Sequence, residues 1–393
     1  MISETIKYVG VNDRKIDLFE GQYVVPNGMA YNSYVILDDK VAIMDTADAR
    51  KGTEWWANVE NALAGRQPDY LVVQHAEPDH ASLIAEVVGK YPSIKVVATA
   101  AALKMLPQFF EGVDFACCGI AVKDGDTLSL GTHTLQFFVA PMVHWPETMV
   151  TWLAEENTVF SGDAFGTFGA VNEVVVDSEG TFESFRDEMM RYYSNIVGKY
   201  GTPVQSALKK LAAFQVKRIC STHGPVWEKS IPQVVGLYDK MSRYEVERGV
   251  CIAYGSMYGN TAAAAEALAE ELRRQGVPCA VHDLAGNMNP GLGLSGALRD
   301  VFKYDTIVAA SPTYNNGIFP PVETFMKALQ ARLIKGRRFY ALGSYTWAGS
   351  SVNLLNSFAE SLGFEVLAPG LSFSQAYSPK KCNVKEIASI LKG

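Results

Sequence analysis

Seven side chains able to bind metal stand just after strand-like runs of this chain. The densest group is Leu71-Val72-Val73-Gln74-His75-Ala76-Glu77-Pro78-Asp79-His80, in which an apolar strand runs into four potential ligands within six residues. Pro78 opposes a helix across the group, and a helix is expected to start just after it, over 81–90. The four ligands are therefore expected on a loop at a strand's C-terminal end, where side chains can converge on one point. His144 follows the run 137–142, Asp163 follows 159–160 and His223 follows 218–219. Four of the six histidines fall in this set, and His133 and His282 stand outside it.

Taken singly, each of these residues has an ordinary structural explanation. Asp79 can cap the helix that follows it, a lone histidine in a β-rich domain can be a hydrogen-bonded core residue, and Ser161-Gly162-Asp163 reads as turn chemistry. Together, in the order His-Glu-Asp-His, His, Asp, His, they point to a metal centre. Histidines with three carboxylates and no thiolate suit iron or manganese, and a carboxylate able to bridge suits a pair of ions. A dizinc hydrolase would be richer in imidazole and would keep a water nucleophile.

A second constellation lies in the other half of the chain. The apolar run 250–254 opens into Gly255-Ser256-Met257-Tyr258-Gly259-Asn260-Thr261, directly before a helical pattern. Hydroxyls and free backbone N–H groups at a helix N-terminus suit a phosphate, and the absence of a Walker-type lysine favours a terminal phosphate over a nucleoside triphosphate. Two further strand ends carry Ser311-Pro312-Thr313-Tyr314-Asn315-Asn316-Gly317 and Gly343-Ser344-Tyr345-Thr346-Trp347-Ala348-Gly349. Tyr314, Tyr345 and Trp347 are able to stack a ring, and Asn315 and Asn316 to meet its polar edge. Solvent-facing turns with chance aromatics are the plain alternative, against which stand three such loops on one sheet edge.

The elements that must position these residues differ between the halves. Up to about residue 248, strand-like runs at 33–37, 41–44, 70–74, 94–98, 134–139, 148–153 and 158–160 mix with helical patterns near 50–64, 80–90, 100–109, 182–199, 203–213 and 228–246. This predicts packed sheets flanked by helices. From Gly249, runs at 250–254, 279–281, 306–310, 339–342 and 366–367 alternate with helical segments at 261–275, 320–333, 349–362 and 383–392. Such alternation predicts a doubly wound parallel sheet. The charged stretch 244–248 is the expected seam, giving domains 1–248 and 249–393. No internal repeat or low-complexity tract is visible.

Length agrees with two domains, since 393 residues exceed the roughly 250–300 at which one core stops growing. The net charge of −7 disfavours a nucleic-acid partner. No apolar run approaches the roughly 18 residues needed to cross a bilayer, and residues 1–13 lack the apolar stretch of a signal peptide, so a cytoplasmic protein is expected. The six cysteines form no C-x-x-C pair, which argues against a disulfide framework or a thiolate metal site and leaves reduced, mostly buried thiols.

With these motifs the chain resembles the flavodiiron proteins along its whole length: a metallo-β-lactamase-like αββα domain followed by a flavodoxin-like domain. The most specific feature is H-x-E-x-D-H at His75–His80, with Glu77 where zinc-hydrolysing relatives of the fold carry histidine. The resemblance implies that His75, Glu77 and His144 hold one iron, that Asp79, His80 and His223 hold a second, and that Asp163 bridges them. It implies FMN on the loops 256–261, 312–317 and 344–350, and a tyrosine near the irons at Tyr193, with Tyr192 as the alternative. It implies reduction of dioxygen to water, of nitric oxide to nitrous oxide, or both, in a head-to-tail homodimer or a dimer of dimers. The chain ends near the flavodoxin-like domain, so a separate donor is expected, a rubredoxin or a reduced deazaflavin. Two rival readings are a dinuclear hydrolase joined to a flavodoxin-like carrier, against which Glu77 and the flavin loops speak, and a flavin carrier whose first domain is only a scaffold, against which the intact ligand set speaks.

Overall fold

The structure, a computed structural model, describes residues 2–172, 175–288 and 291–393. The chain divides into two compact units, one of residues 1–193 and 200–239, the other of residues 194–199 and 240–393.

In the first unit two sheets face each other. One is six-stranded, in the order Ile6–Tyr8, Tyr34–Ile36, Ala42–Met44, Tyr70–Val72, Lys95–Thr99, Gly119–Val122. The other is five-stranded, in the order Thr127–Ser129, Thr134–Val139, Met149–Leu153, Thr158–Gly162, Arg218–Ser221. Alternation along the strands fills the space between them: Ile36, Met44, Val72 and Val97 from one sheet meet Leu135, Phe137, Met149, Leu153 and Phe160 from the other. Helices cover the outside, Gly52–Leu63 through its buried Trp55, Val59 and Leu63, and Gly201–Leu211 against the five-stranded sheet. This is the expected αββα layering, with more short strands than the apolar runs reveal.

Three local differences from the sequence reading have simple causes. The helical turn Pro78–Ala81 begins at Pro78 itself, so Asp79 and His80 sit on a turn of helix and not on a loop. Proline fits a first helical position, where its missing N–H costs nothing. Glu77, not Asp79, precedes that turn as its cap residue. The expected helix 182–199 is an α-helix only over Thr181–Tyr192, followed by a π-helical turn at Tyr193–Val197.

The second unit holds a parallel sheet in the order Cys279–Asp283, Glu247–Tyr254, Tyr304–Tyr314, Arg338–Tyr345, Glu365–Val366, which is the 2-1-3-4-5 order of flavodoxin-like folds. The first strand starts at Glu247, inside the stretch read as the seam. The last strand is broken in two: Glu365–Val366 and Leu371–Ser374 both pair with Arg338–Tyr345. Pro369 and Gly370 separate them. A helix Gly293–Lys303, unmarked by the sequence pattern, completes the crossover between the second and third strands. Its glycine-, asparagine- and proline-rich approach hides an amphipathic segment whose Leu298, Val301 and Phe302 are buried.

Candidate functional site

Each metal-binding candidate of the first unit is delivered by the end of a strand. Tyr70–Val72 leads to His75 and Glu77, Thr134–Val139 to His144, Thr158–Gly162 to Asp163, and Arg218–Ser221 to His223. Gly162 turns the chain at φ +57, where a side chain is strained, and brings Asp163 inward. All seven side chains converge.

They fall into two groups that share one carboxylate. Asp163 Oδ2 lies 3.0 Å from His144 Nε2 and 3.3 Å from His75 Nε2, and Glu77 Oε2 lies 2.9 Å from His144 Nε2. Asp163 Oδ1 lies 3.4 Å from His80 Nε2 and 3.5 Å from His223 Nε2, and Asp79 Oδ2 lies 3.2 Å from His223 Nε2. The two groups meet where His75 Nε2 and His80 Nε2 approach to 3.1 Å. His75, His80, Asp163 and His223 are buried. Both carboxylate oxygens of Asp79 and Nε2 of His223 are buried, and beyond ion contacts within the cluster they make no hydrogen bond. Buried charge of this kind is costly without a partner, and a pair of hard or borderline cations is the partner this donor set fits.

The supporting contacts fix the ligand atoms. His223 Nδ1 lies 2.7 Å from Ala30 O, which can only accept, so Nδ1 carries the proton and Nε2 turns to the centre. Asp163 Oδ1 accepts from Thr222 Oγ1. Asp45, buried beneath the first group, accepts from the Gln74 backbone N–H. Burial, reinforced by Asp163 and opposed by His80 and His75, pushes Asp45 up to about 6.

Without metal, protons hold the cluster together. Burial alone would lower the histidine pKa values, but Asp163 and Glu77 outweigh it and carry His75 well above the usual range and His144 up to about 9. Asp79, Asp163 and the Ala30 carbonyl similarly outweigh burial and carry His223 up to about 9. For Glu77, burial is outweighed by His144 and His75, which push it down to about 2. Those three imidazoles are therefore charged at pH 7, and metal must displace their protons. Iron loading should release about three protons per chain at pH 7, and affinity should rise as the pH is raised from 6 towards 9. Calorimetry in buffers of different ionisation enthalpy measures that number; release of no protons would contradict these histidines as ligands.

Among the remaining histidines, His133 Nδ1 lies 2.9 Å from Asp38 Oδ2, and His282 Nε2 lies 2.7 Å from Asp300 Oδ2. The tyrosine neighbouring the cluster is Tyr192, whose ring centre lies 5.6 Å from that of His223. Tyr193 packs against Tyr238 at 5.0 Å. Neighbouring helical residues differ by about 100° in direction, so only packing separates the two. Two further residues escape the sequence reading. Phe19 stands 5.7 Å from the His223 ring, on the hairpin of Leu18–Phe19 and Tyr23–Val24. Arg191, fully buried, donates to Val24 O at 2.9 Å and lies 4.2 Å from the Phe168 ring centre. It ties that hairpin to the helix of Tyr192, and no spacing signal marks it.

In the second unit a cleft of about 340 Å³ opens at the C-terminal edge of the sheet. Of the expected residues, Ser256, Met257, Tyr258, Asn260, Thr261, Pro312, Thr313, Tyr314, Asn315, Asn316, Ser344, Tyr345 and Trp347 line it, with Thr346 and Ala348. Gly259, Gly317 and Gly349 shape the same loops without lining it. Gln375, at the end of the split last strand, is an unanticipated wall. Ser256 Oγ accepts from the Gly259 N–H at 3.1 Å, and Thr261 Oγ1 meets Ser344 Oγ at 2.8 Å, joining two loops. The 15-residue helix Asn260–Arg274 starts there and aims its N-terminal dipole into the cleft. No lysine or arginine lines it among the described residues, so a phosphate would rest on hydroxyls and backbone N–H groups. Tyr258 and Trp347 are 89% and 88% exposed at the rim, where each is able to stack on a planar ligand. The cleft fits a flavin mononucleotide.

Family models match each of the two units. A model of the ODP family beta lactamase matches residues 29–224, and a flavodoxin model matches residues 252–381. The anaerobic nitric oxide reductase flavorubredoxin of Shigella dysenteriae serotype 1 is 29% identical over 372 residues, covering 93% of this chain and 76% of the relative. The rubredoxin oxygen:oxidoreductase of the anaerobe Desulfovibrio gigas superposes with a TM-score of 0.90 at 26% identity, covering 100% of this chain and 96% of the other. The flavodiiron protein of Giardia intestinalis shares the fold, with a TM-score of 0.90 at 24% identity and the same coverage of 100% and 96%.

Proposed function

The chain belongs to the flavodiiron proteins, and from that premise we propose that it passes electrons from FMN to a diiron centre that reduces dioxygen, nitric oxide or both. The observation that carries this reading is Asp163, whose two oxygens face different groups of ligand atoms, as a carboxylate between two ions must. His75, Glu77 and His144 would hold one iron, and Asp79, His80 and His223 the other, with Asp163 between them. When bound, the flavin and the iron pair supply the electrons and the bond chemistry. The protein's own side chains do the rest. Asp163, Glu77 and Asp79 supply the negative charge that favours cations, and Ala30 and Thr222 hold their partners in the orientation that points ligand atoms inward. Burial, then Asp163, Glu77 and Asp79, raise the Tyr192 hydroxyl well above its usual range, so it stays a hydrogen-bond donor beside the His223 ring.

Protein produced with iron available should contain about two irons and one FMN per chain, read by metal analysis and the visible flavin spectrum. Zinc alone after iron supplementation, or a colourless protein, would sink the reading.

Proteins of this family are dimers or tetramers served by electron donors, and we infer a head-to-tail pair here, each flavin facing its partner's irons. A separate donor, a rubredoxin or a reduced deazaflavin, would feed the FMN; the name of the Desulfovibrio gigas relative supports the first. Mixing an iron-less variant, Asp163→Ala with His223→Ala, with a flavin-less variant at Gly259 should restore partial activity after subunit exchange. Inactivity despite proven exchange would refute the inter-subunit route. No helix among the described residues is long and apolar enough to cross a membrane; a cytoplasmic placement is part of the proposal.

A further inference from the structure

Two small cavities lie between the outer face of the five-stranded sheet and the helix Gly201–Leu211, with volumes of about 30 and about 40 Å³. They share walls at Ala140, Val150, Val159, Ala207 and Leu211, and so are adjoining chambers of one recess. The outer chamber is bounded by half-buried Phe138 and Phe214, and opens towards the surface. The inner chamber is lined by the buried Val143, Phe165, Val204 and Tyr238. This inner end lies against the metal loops: Val143 directly precedes His144, and the wall residues Ser161 and Ala164 bracket Asp163.

The chemistry of the walls selects what can enter. Ser161 Oγ is committed to Ala164 O at 2.7 Å, which leaves the Tyr238 hydroxyl as the one side-chain polar group offered to the inner chamber. A buried water needs two to four polar partners, so the inner chamber stays dry. At the rim, Lys210 is held outward by Asp124 at 2.6 Å and by the Val139 carbonyl at 2.9 Å. A neutral diatomic molecule forfeits little by leaving water and gains dispersion contacts inside. Alanines make the space: Ala140, Ala164 and Ala207 stand where larger side chains would fill it.

We propose that this recess is a binding site for an apolar diatomic gas and its route from solvent to the Asp163 side of the metal centre. The proposal rests on the reading of the chain as a reductase of such gases.

Xenon is the probe. Crystals of the iron- and FMN-loaded protein under xenon pressure should show an atom among Val150, Val159 and Ala207. Ala207→Phe should remove it and lower kcat/KM for dioxygen or nitric oxide by about five- to tenfold, with kcat at saturating gas within about twofold of wild type. Dithionite reduction of flavin and iron should be unchanged. Should Ala207→Phe lose iron, Val150→Phe from the opposite wall gives the same reading. An empty recess in the wild type overturns the proposal, as does an unchanged kcat/KM in a variant that has lost xenon. A wild-type protein that reduces neither gas overturns the functional reading and the route with it. Normal turnover with filled, xenon-free variants overturns the route alone.

Discussion

Asp163→Ala should lower turnover of either gas by about a thousandfold or more, because it removes the one side chain common to both metal groups. Asp163 Oδ2 serves the group of His75 and His144, and Oδ1 the group of His80 and His223. Its loss leaves four imidazoles facing one another with only Glu77 and Asp79 to balance incoming cations. Burial alone would raise the Asp163 pKa, but His75, His144 and His80 hold it well below the usual range, so it is the charge that anchors the cluster. Metal analysis should find fewer than two irons per chain, while FMN content stays at wild-type level because the flavin loops belong to the other unit. Two irons with near-normal turnover would show that Asp163 does not bridge.

Gly259→Val should weaken FMN about 10- to 100-fold, the second largest effect expected. Gly259 caps the helix Asn260–Arg274 at φ +87, and its N–H bonds to Ser256 Oγ at 3.1 Å. A β-branched residue held at positive φ costs roughly 1–3 kcal/mol. The nearest atom to an added Cβ is Met288 Cε at 3.6 Å, so the cost comes from backbone strain and not from a clash. The loop can relieve it only by moving the N–H groups at the helix start that would hold the phosphate. Fluorescence titration with FMN measures the loss, and iron content should be unaltered. Wild-type affinity in the variant would mean the phosphate rests elsewhere.

The metal cluster was legible because its chemistry is written in residue type and in position after strands. His75, Glu77, Asp79, His80, His144, Asp163 and His223 each follow an apolar run, and parallel and antiparallel strands of a sandwich deliver their ends to a common edge. The flavin loops were legible for the same reason. What escaped depends on direction or on space. Tyr192 and Tyr193 are neighbours on one helix, and only their packing against His223 and Tyr238 tells them apart. Gln375 was hidden because Pro369 and Gly370 split the last strand, so its second half went unread. The apolar recess has no motif at all, since it arises from three alanines brought together by separate elements.

The most direct test of the central claim is an electron count. Protein carrying two irons and one FMN is reduced anaerobically and mixed with a known, limiting amount of dioxygen, and in parallel with nitric oxide. The account predicts about four electrons consumed per dioxygen with water as product and no peroxide, or two electrons per pair of nitric oxide molecules with nitrous oxide formed, and neither reaction in protein lacking iron. Stoichiometric hydrogen peroxide, or equal rates in iron-free protein, would contradict it by showing that the flavin alone reacts with the gas.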